Sequence, residues 1–151
     1  MEIASFMRAP LAVNPDDIDI ALIGVPYDGG VTHRPGARHG PREIRNASTM
    51  MRPIHHVNRF NPFDARRVAD LGDVVFRSMY DPRAVAEEIE EFFSVVAEAG
   101  VVPLSAGGDH SITYPILRAL GREQPVGLVH IDAHCDTWGP YQGCKFHHGA
   151  P

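Results

Sequence analysis

No run of about 18 apolar residues occurs in the chain, and Met1 to Val13 carries no charged segment followed by an apolar one, so neither a transmembrane helix nor a secretory leader is expected. Cysteine is scarce. Cys135 and Cys144 cannot build a disulfide framework, and free thiols in a reducing, cytoplasmic setting are the expectation. Basic clusters are missing as well, and with a net charge of -5 and a pI near 5.9 the composition argues against nucleic acid or an anionic membrane as main partner. What the chain has in plenty is histidine, nine in 151 residues. Five of these, His110, His130, His134, His147 and His148, fall toward the end, so the chemistry is expected there. A hydrophobic share of 44% is ordinary for a folded globular domain.

The stretch Val126 to Asp136, VGLVHIDAHCD, organises the rest. Its first half, Val126 to Ile131, is apolar and rich in β-branched residues, the pattern of a strand buried on both faces of a parallel sheet. Asp132, His134 and Asp136 follow at i, i+2 and i+4, which sends all three side chains to one side if the backbone stays extended. Two carboxylates and an imidazole so close together call for a counter-charge, and a divalent cation supplies it. The alternation turns Cys135 away from these ligands, as packing filler. The mixed oxygen and imidazole set suits Mn2+, Zn2+ or Fe2+ better than Mg2+ or Ca2+.

Residues 1–17 read as an irregular lead-in, interrupted by Pro10 and Pro15. Asp19 to Val25, closed by Pro26, is the expected first strand. Tyr27 to Gly40 packs five glycines and prolines around His33, Arg34, Arg38 and His39, and such a loop after a buried strand lies where open α/β sheets bind ligands. Arg34 or Arg38 could face a substrate or subunit contact, or the arginines could cap and pair within the loop. Pro41 suits the first turn of a helix to about Met51. Arg52 to Arg67 reads as loop, and its His55–His56 pair, without a partnering carboxylate, as non-ligating. Val68 to Leu71 is a short strand closed by Gly72.

Asp81-Pro82 opens the clearest helix, with Val85, Ile89, Phe92 and Val96 as its apolar stripe and Gly100 as its stop. Val101 to Ser105 is another strand-length run, whose Pro103 predicts partial pairing of its first residues. It leads through Ala106-Gly107-Gly108-Asp109-His110 into a helix from Ser111 to Leu120. Gly-Gly-Asp-His can cap a helix or hold a ligand; beside Asp132, His134 and Asp136 on the next strand, ligation by His110 is the better reading. Alternating strands and helix-length crossovers specify an α/β, three-layer αβα class with a mainly parallel sheet. After the Thr137 to Gly143 loop, His147 and His148 are both acid–base candidates. No closing helix or strand follows. Residues 1–151 are therefore expected to be the N-terminal part of a single longer domain, with the fold incomplete and a sheet edge left open to aggregation.

Four motifs, RPGARHGPREIR (Arg34 to Arg45), GGDHS (Gly107 to Ser111), DAHCD (Asp132 to Asp136) and HHGAP (His147 to Pro151), together resemble the ureohydrolases, the arginase and agmatinase family of binuclear manganese enzymes. The wording THRPGA and the loop from Trp138 to Tyr141 are more similar to the agmatinase, guanidinobutyrase and guanidinopropionase branch than to true arginases. The resemblance implies an arginase-like fold and two Mn2+ per subunit of the complete protein. His110, Asp132 and Asp136 would bind one ion, Asp132 would bridge, and His134 would bind the second. The family completes that second site with an Asp-x-Asp pair from a later strand, so the 151-residue piece by itself is expected to be inactive. His148 matches the histidine that relays protons, and Trp138 and Tyr141 would line the substrate channel or pack the loop. The implied reaction is hydrolysis of a small guanidino compound, agmatine or a guanidinoalkanoate, to urea and a primary amine, in a homo-oligomer, trimer or hexamer. Arginase or formiminoglutamase activity on the same scaffold, or an inactive truncated fragment, are the alternatives.

Overall fold

The structure is a computed structural model and describes residues 3–151. Ile20–Val25 (β1) is the central strand of a parallel sheet, flanked by Val68–Asp73 (β2) and Val102–Gly107 (β3) in the order β2-β1-β3. Because strand side chains alternate, Ala21, Ile23 and Val25 enter one core while Leu22 enters another on the opposite face. The first core takes its outer wall from Pro82–Glu98 (α3), with the tip of Thr113–Leu120 (α4). The second gathers Phe6, Ala9 and Val68 around Leu22, beside Gly40–Ser48 (α1). A four-residue helix, Pro62–Ala65 (α2), precedes β2.

α3 forms because Asp81 accepts hydrogen bonds from the N–H groups of Arg83 and Ala84 while Pro82 occupies the first turn. Its buried stripe is Val85, Ala86, Ile89, Phe93 and Val96. Phe93, not Phe92, is the fully buried aromatic; Ile89 to Phe93 is a full i+4 step that keeps Phe93 over the sheet, and Phe92 packs at the margin of the core. Burying Val85, Ile89, Phe93 and Val96 contributes on the order of 6–12 kcal/mol before entropy.

Pro103 does not weaken pairing, contrary to expectation: β3 matches β1 at six positions, from Ile20 opposite Val102 to Val25 opposite Gly107. The Val102 N–H bonds the Asp19 carbonyl, so the Pro103 nitrogen points to the open edge, where no donor is required. The lead-in is not irregular throughout. Phe6–Arg8 forms a single 3-10 turn, and Pro10 and Ala12 exchange backbone hydrogen bonds with Asp70. Asp70 itself is fully buried and takes a two-pronged contact from Arg45 on α1, at 2.8 and 2.9 Å. This ion pair and the Phe6 N–H at 2.9 Å lock the N-terminal turn, α1 and β2 together.

Residues 126–131 also depart from the strand expected of them. They form no strand, and Val129 and Ile131 are 87% and 93% exposed. Their composition fits burial, but a strand needs both a ladder partner and cover, and the described residues place their helices over β1 and its neighbours instead. The helix expected from Ser111 begins as a 3-10 turn at His110–Ile112 before α4, and α1 stops at Ser48, short of Met51.

Candidate metal centre

β1 and β3 are neighbours, so the loops leaving their carboxyl ends meet. Gly108 sits against the carbonyls of Val25 and Tyr27, where any side chain would collide with backbone. That close approach lets the Asp109 N–H bond the Tyr27 carbonyl at 2.8 Å. The buried Asp109 carboxylate accepts from the Gly30 N–H and the Ser111 N–H, each at 2.8 Å, and from the Ser111 hydroxyl at 2.5 Å. Within Gly-Gly-Asp-His, Asp109 caps and ties the loops, and His110 is placed beside Asp132 and Asp136.

His110 Nδ1 lies 2.5 Å from Asp136 Oδ2 and 3.5 Å from Asp132 Oδ2. The other Asp132 oxygen, Oδ1, lies 3.4 Å from His134 Nδ1 and accepts the His134 N–H at 2.9 Å. The two oxygens of one carboxylate thus face different imidazoles. That backbone bond, and the charge of His110, His130 and His134 around it, lower the Asp132 carboxyl below its usual range against the smaller opposing effect of burial. The convergence does not arise through an extended strand end, as period-two alternation predicts. A bend at Ala133–His134 and a left-handed backbone at Asp136, φ 45°, turn the chain instead. One consequence is that Cys135 is exposed and lines the cleft, so it is not packing filler.

His130 is an addition that the sequence reading left inside the strand. Its Nε2 lies 3.6 Å from Asp132 Oδ2, its ring is 5.0 Å from that of His110, and donor atoms of His110, His130 and Asp132 all fall within 4.8 Å of one another. The signal was available, since His130 stands two residues before Asp132 in the same alternation. Imidazole nitrogens and carboxylate oxygens converging at this range form a donor set that fits a divalent cation.

The cleft, about 740 Å3, is lined by His110, Asp132, Ala133, His134, Cys135 and Asp136 together with Val31, Asp109, Trp138, His148 and Gly149. His148 is half-buried on its wall, with its N–H bonded to the Gly30 carbonyl at 3.1 Å and its Nε2 3.2 Å from the Thr32 hydroxyl. His147 is fully engaged elsewhere: buried, it meets the Gly139 carbonyl through Nε2 at 3.1 Å and accepts the Gly149 N–H through Nδ1 at 3.3 Å. The structure so separates the two acid–base candidates. Trp138 is on the cleft wall, whereas Tyr141 stands against His147, outside the lining. His55 and His56 stack on each other in an exposed loop remote from the cleft lining.

The loop from Tyr27 to Gly40 is held by Asp28, whose buried carboxylate takes the Arg38 guanidinium, the Gly36 N–H at 2.5 Å and the Arg38 N–H at 3.2 Å. Burial opposes its charge, but Arg38 and the two N–H groups outweigh burial and hold the carboxyl at about 2. Arg38 is thereby a pairing residue, and Arg34 stays exposed. Burial and the nearby Asp109 push the Tyr27 phenol up to about 12.

The profile of the arginase family matches residues 18–151. The chain belongs to that family. Within it, the chain is 52% identical over 150 residues to guanidinopropionase of Pseudomonas aeruginosa, covering 99% of this chain and 47% of that protein. It is 45% identical to the human mitochondrial guanidino acid hydrolase, covering 99% and 42%. The fold superposes on proclavaminate amidino hydrolase from Streptomyces clavuligerus with a TM-score of 0.92 at 35% identity, covering all of this chain and 50% of the other. The chain spans about half the length of the relatives it matches. No helix among the described residues is long and apolar enough to cross a membrane.

Proposed function

We propose that this chain is the amino-terminal part of a cytoplasmic, metal-dependent hydrolase that cleaves a guanidinoalkanoate or agmatine to urea and a primary amine. The observation that carries the reading is the meeting of His110, just past the end of β3, with Asp132 and Asp136 of a later loop, with His148 on the same cleft wall. Among relatives, guanidinopropionase is 52% identical, human guanidino acid hydrolase 45%, and guanidinobutyrase and the chicken agmatinase 44% each; three of these four names favour a substrate with a carboxylate tail.

His110, Asp132, His134 and Asp136 would hold the metal, two Mn2+ by resemblance. When bound, such ions activate water at neutral pH, which a delocalised guanidinium carbon requires of its nucleophile. The acidic cleft favours the cationic guanidinium end of the substrate. Trp138 on the wall covers the aliphatic part and keeps bulk water out. As the carbon–nitrogen bond breaks, the leaving amine needs a proton, and His148, half-buried and within reach of the cleft, carries it.

The test is urea release by the full-length Mn2+-loaded protein across 3-guanidinopropionate, 4-guanidinobutyrate, agmatine and arginine. The expected result is highest kcat/KM on a guanidino acid. Equal or better turnover of arginine would contradict the assignment of substrate class.

A further inference from the structure

His148 is gripped twice by one short loop, through its backbone N–H and one ring nitrogen. Its N–H donates to the Gly30 carbonyl at 3.1 Å, and its Nε2 meets the Thr32 hydroxyl at 3.2 Å. The gripping loop is itself fixed on both sides. Upstream, the Gly30 N–H donates to the buried Asp109 carboxylate at 2.8 Å, one residue before His110. Downstream, Asp28 gathers Gly36 and Arg38. Thr32 therefore stands on a braced segment that spans the gap between the candidate metal ligands and His148.

A group that relays a proton must present one ring nitrogen at a fixed distance, and misplacement by about 1 Å costs on the order of a hundredfold in rate. An imidazole on a loop has a freely turning ring unless a partner stops it. A hydroxyl is suited to that task because it both donates and accepts. With Nε2 carrying its proton throughout, the Nε2–H donates to the Thr32 oxygen whether Nδ1 is bare or protonated. The contact survives a full cycle of proton gain and loss at Nδ1.

We propose that Thr32 is a positioning residue for His148, holding the ring through Nε2 so that Nδ1 serves the cleft. This rests on the reading of His148 as the proton carrier. The experiment uses full-length protein with Thr32→Val, Thr32→Ser, His148→Ala and the Thr32→Val/His148→Ala pair, each with metal content measured. Thr32→Val, which keeps shape and removes the hydroxyl, is expected to lower kcat by about tenfold or more with KM within about twofold and unchanged metal content. Thr32→Ser should recover at least about a third of kcat, and Thr32→Val should change kcat by less than about twofold when His148 is already alanine. Nitrogen-15 spectra of the metal-free protein should show the His148 ring nitrogens moved by valine and nearly restored by serine. An unchanged kcat in Thr32→Val beside a crippled His148→Ala would overturn the role of Thr32 alone. The same loss in both backgrounds, or a serine variant as slow as valine, would do so too. A fully active His148→Ala would remove the proton-carrier reading and this proposal with it.

Discussion

Replacing Arg45 with alanine would strand a fully buried carboxylate. Asp70 has no side-chain exposure and Arg45 only 11%. The guanidinium supplies two of the four donors to Asp70, with the Phe6 and Gly72 N–H groups giving the others at 2.9 Å each. It also reaches Asp73 at 2.5 Å and lies 4.1 Å from the centre of the Phe6 ring. Removing one partner of a buried pair costs about 3–5 kcal/mol, because the other is left charged and dry. Burial resists the Asp70 charge, yet Arg45 and the backbone donors prevail and keep its carboxyl below the usual range. Its contribution to stability is thus present above the unfolded carboxylate value and is lost as pH falls through the lowered native one. Denaturant unfolding of the full-length protein should show a loss of about 3–5 kcal/mol at pH 7 for Arg45→Ala, a smaller gap near pH 4, and partial recovery in Arg45→Ala/Asp70→Asn. A loss under about 1 kcal/mol at pH 7, or strictly additive single and double variants, would refute the reasoning.

Asp28→Asn should cost about 2 kcal/mol at neutral pH, since its carboxyl sits at about 2 against an ordinary 3.8; solvent around the half-exposed Arg38 trims this. The effect should fade as pH falls from about 4 toward 2, read by thermal unfolding over that range. Asp136→Ala should weaken Mn2+ binding at least about 100-fold in equilibrium dialysis, with His56→Ala as an unaffected control; equal affinities would remove Asp136 from the site. The 151-residue chain by itself should self-associate, because Val102 and Leu104 on the open β3 edge are 62% and 57% exposed. A monodisperse, cooperatively melting species in sedimentation would contradict this.

The sheet and its order of strands and helices were legible because Ile20 to Val25 and Val85 to Val96 carry clean periods, and because Asp81-Pro82 is a strong helix start. The site was legible for a different reason: His110, Asp132 and Asp136 follow strand-length runs with no packing purpose of their own. What escaped is long-range. Residues 126–131 have a buried strand's composition, but composition does not say whether cover is present, and Val129 and Ile131 lie exposed. Phe92 and Phe93 are adjacent, and only the angle at which α3 meets the sheet chooses between them. Asp28, Asp70 and Asp109 look like ordinary turn or surface carboxylates in sequence. Their burial follows from partners 10, 25 and 79 positions away, Arg38, Arg45 and Gly30, which no local pattern announces.

The most direct test of the central claim is urea release from 3-guanidinopropionate by chelator-treated full-length protein before and after Mn2+ is restored, beside the Asp132→Ala variant. The account predicts no urea without metal, recovery on adding Mn2+, and none from Asp132→Ala under either condition. Urea release that persists after metal removal, or an Asp132→Ala variant that Mn2+ restores to the unsubstituted rate, would contradict it.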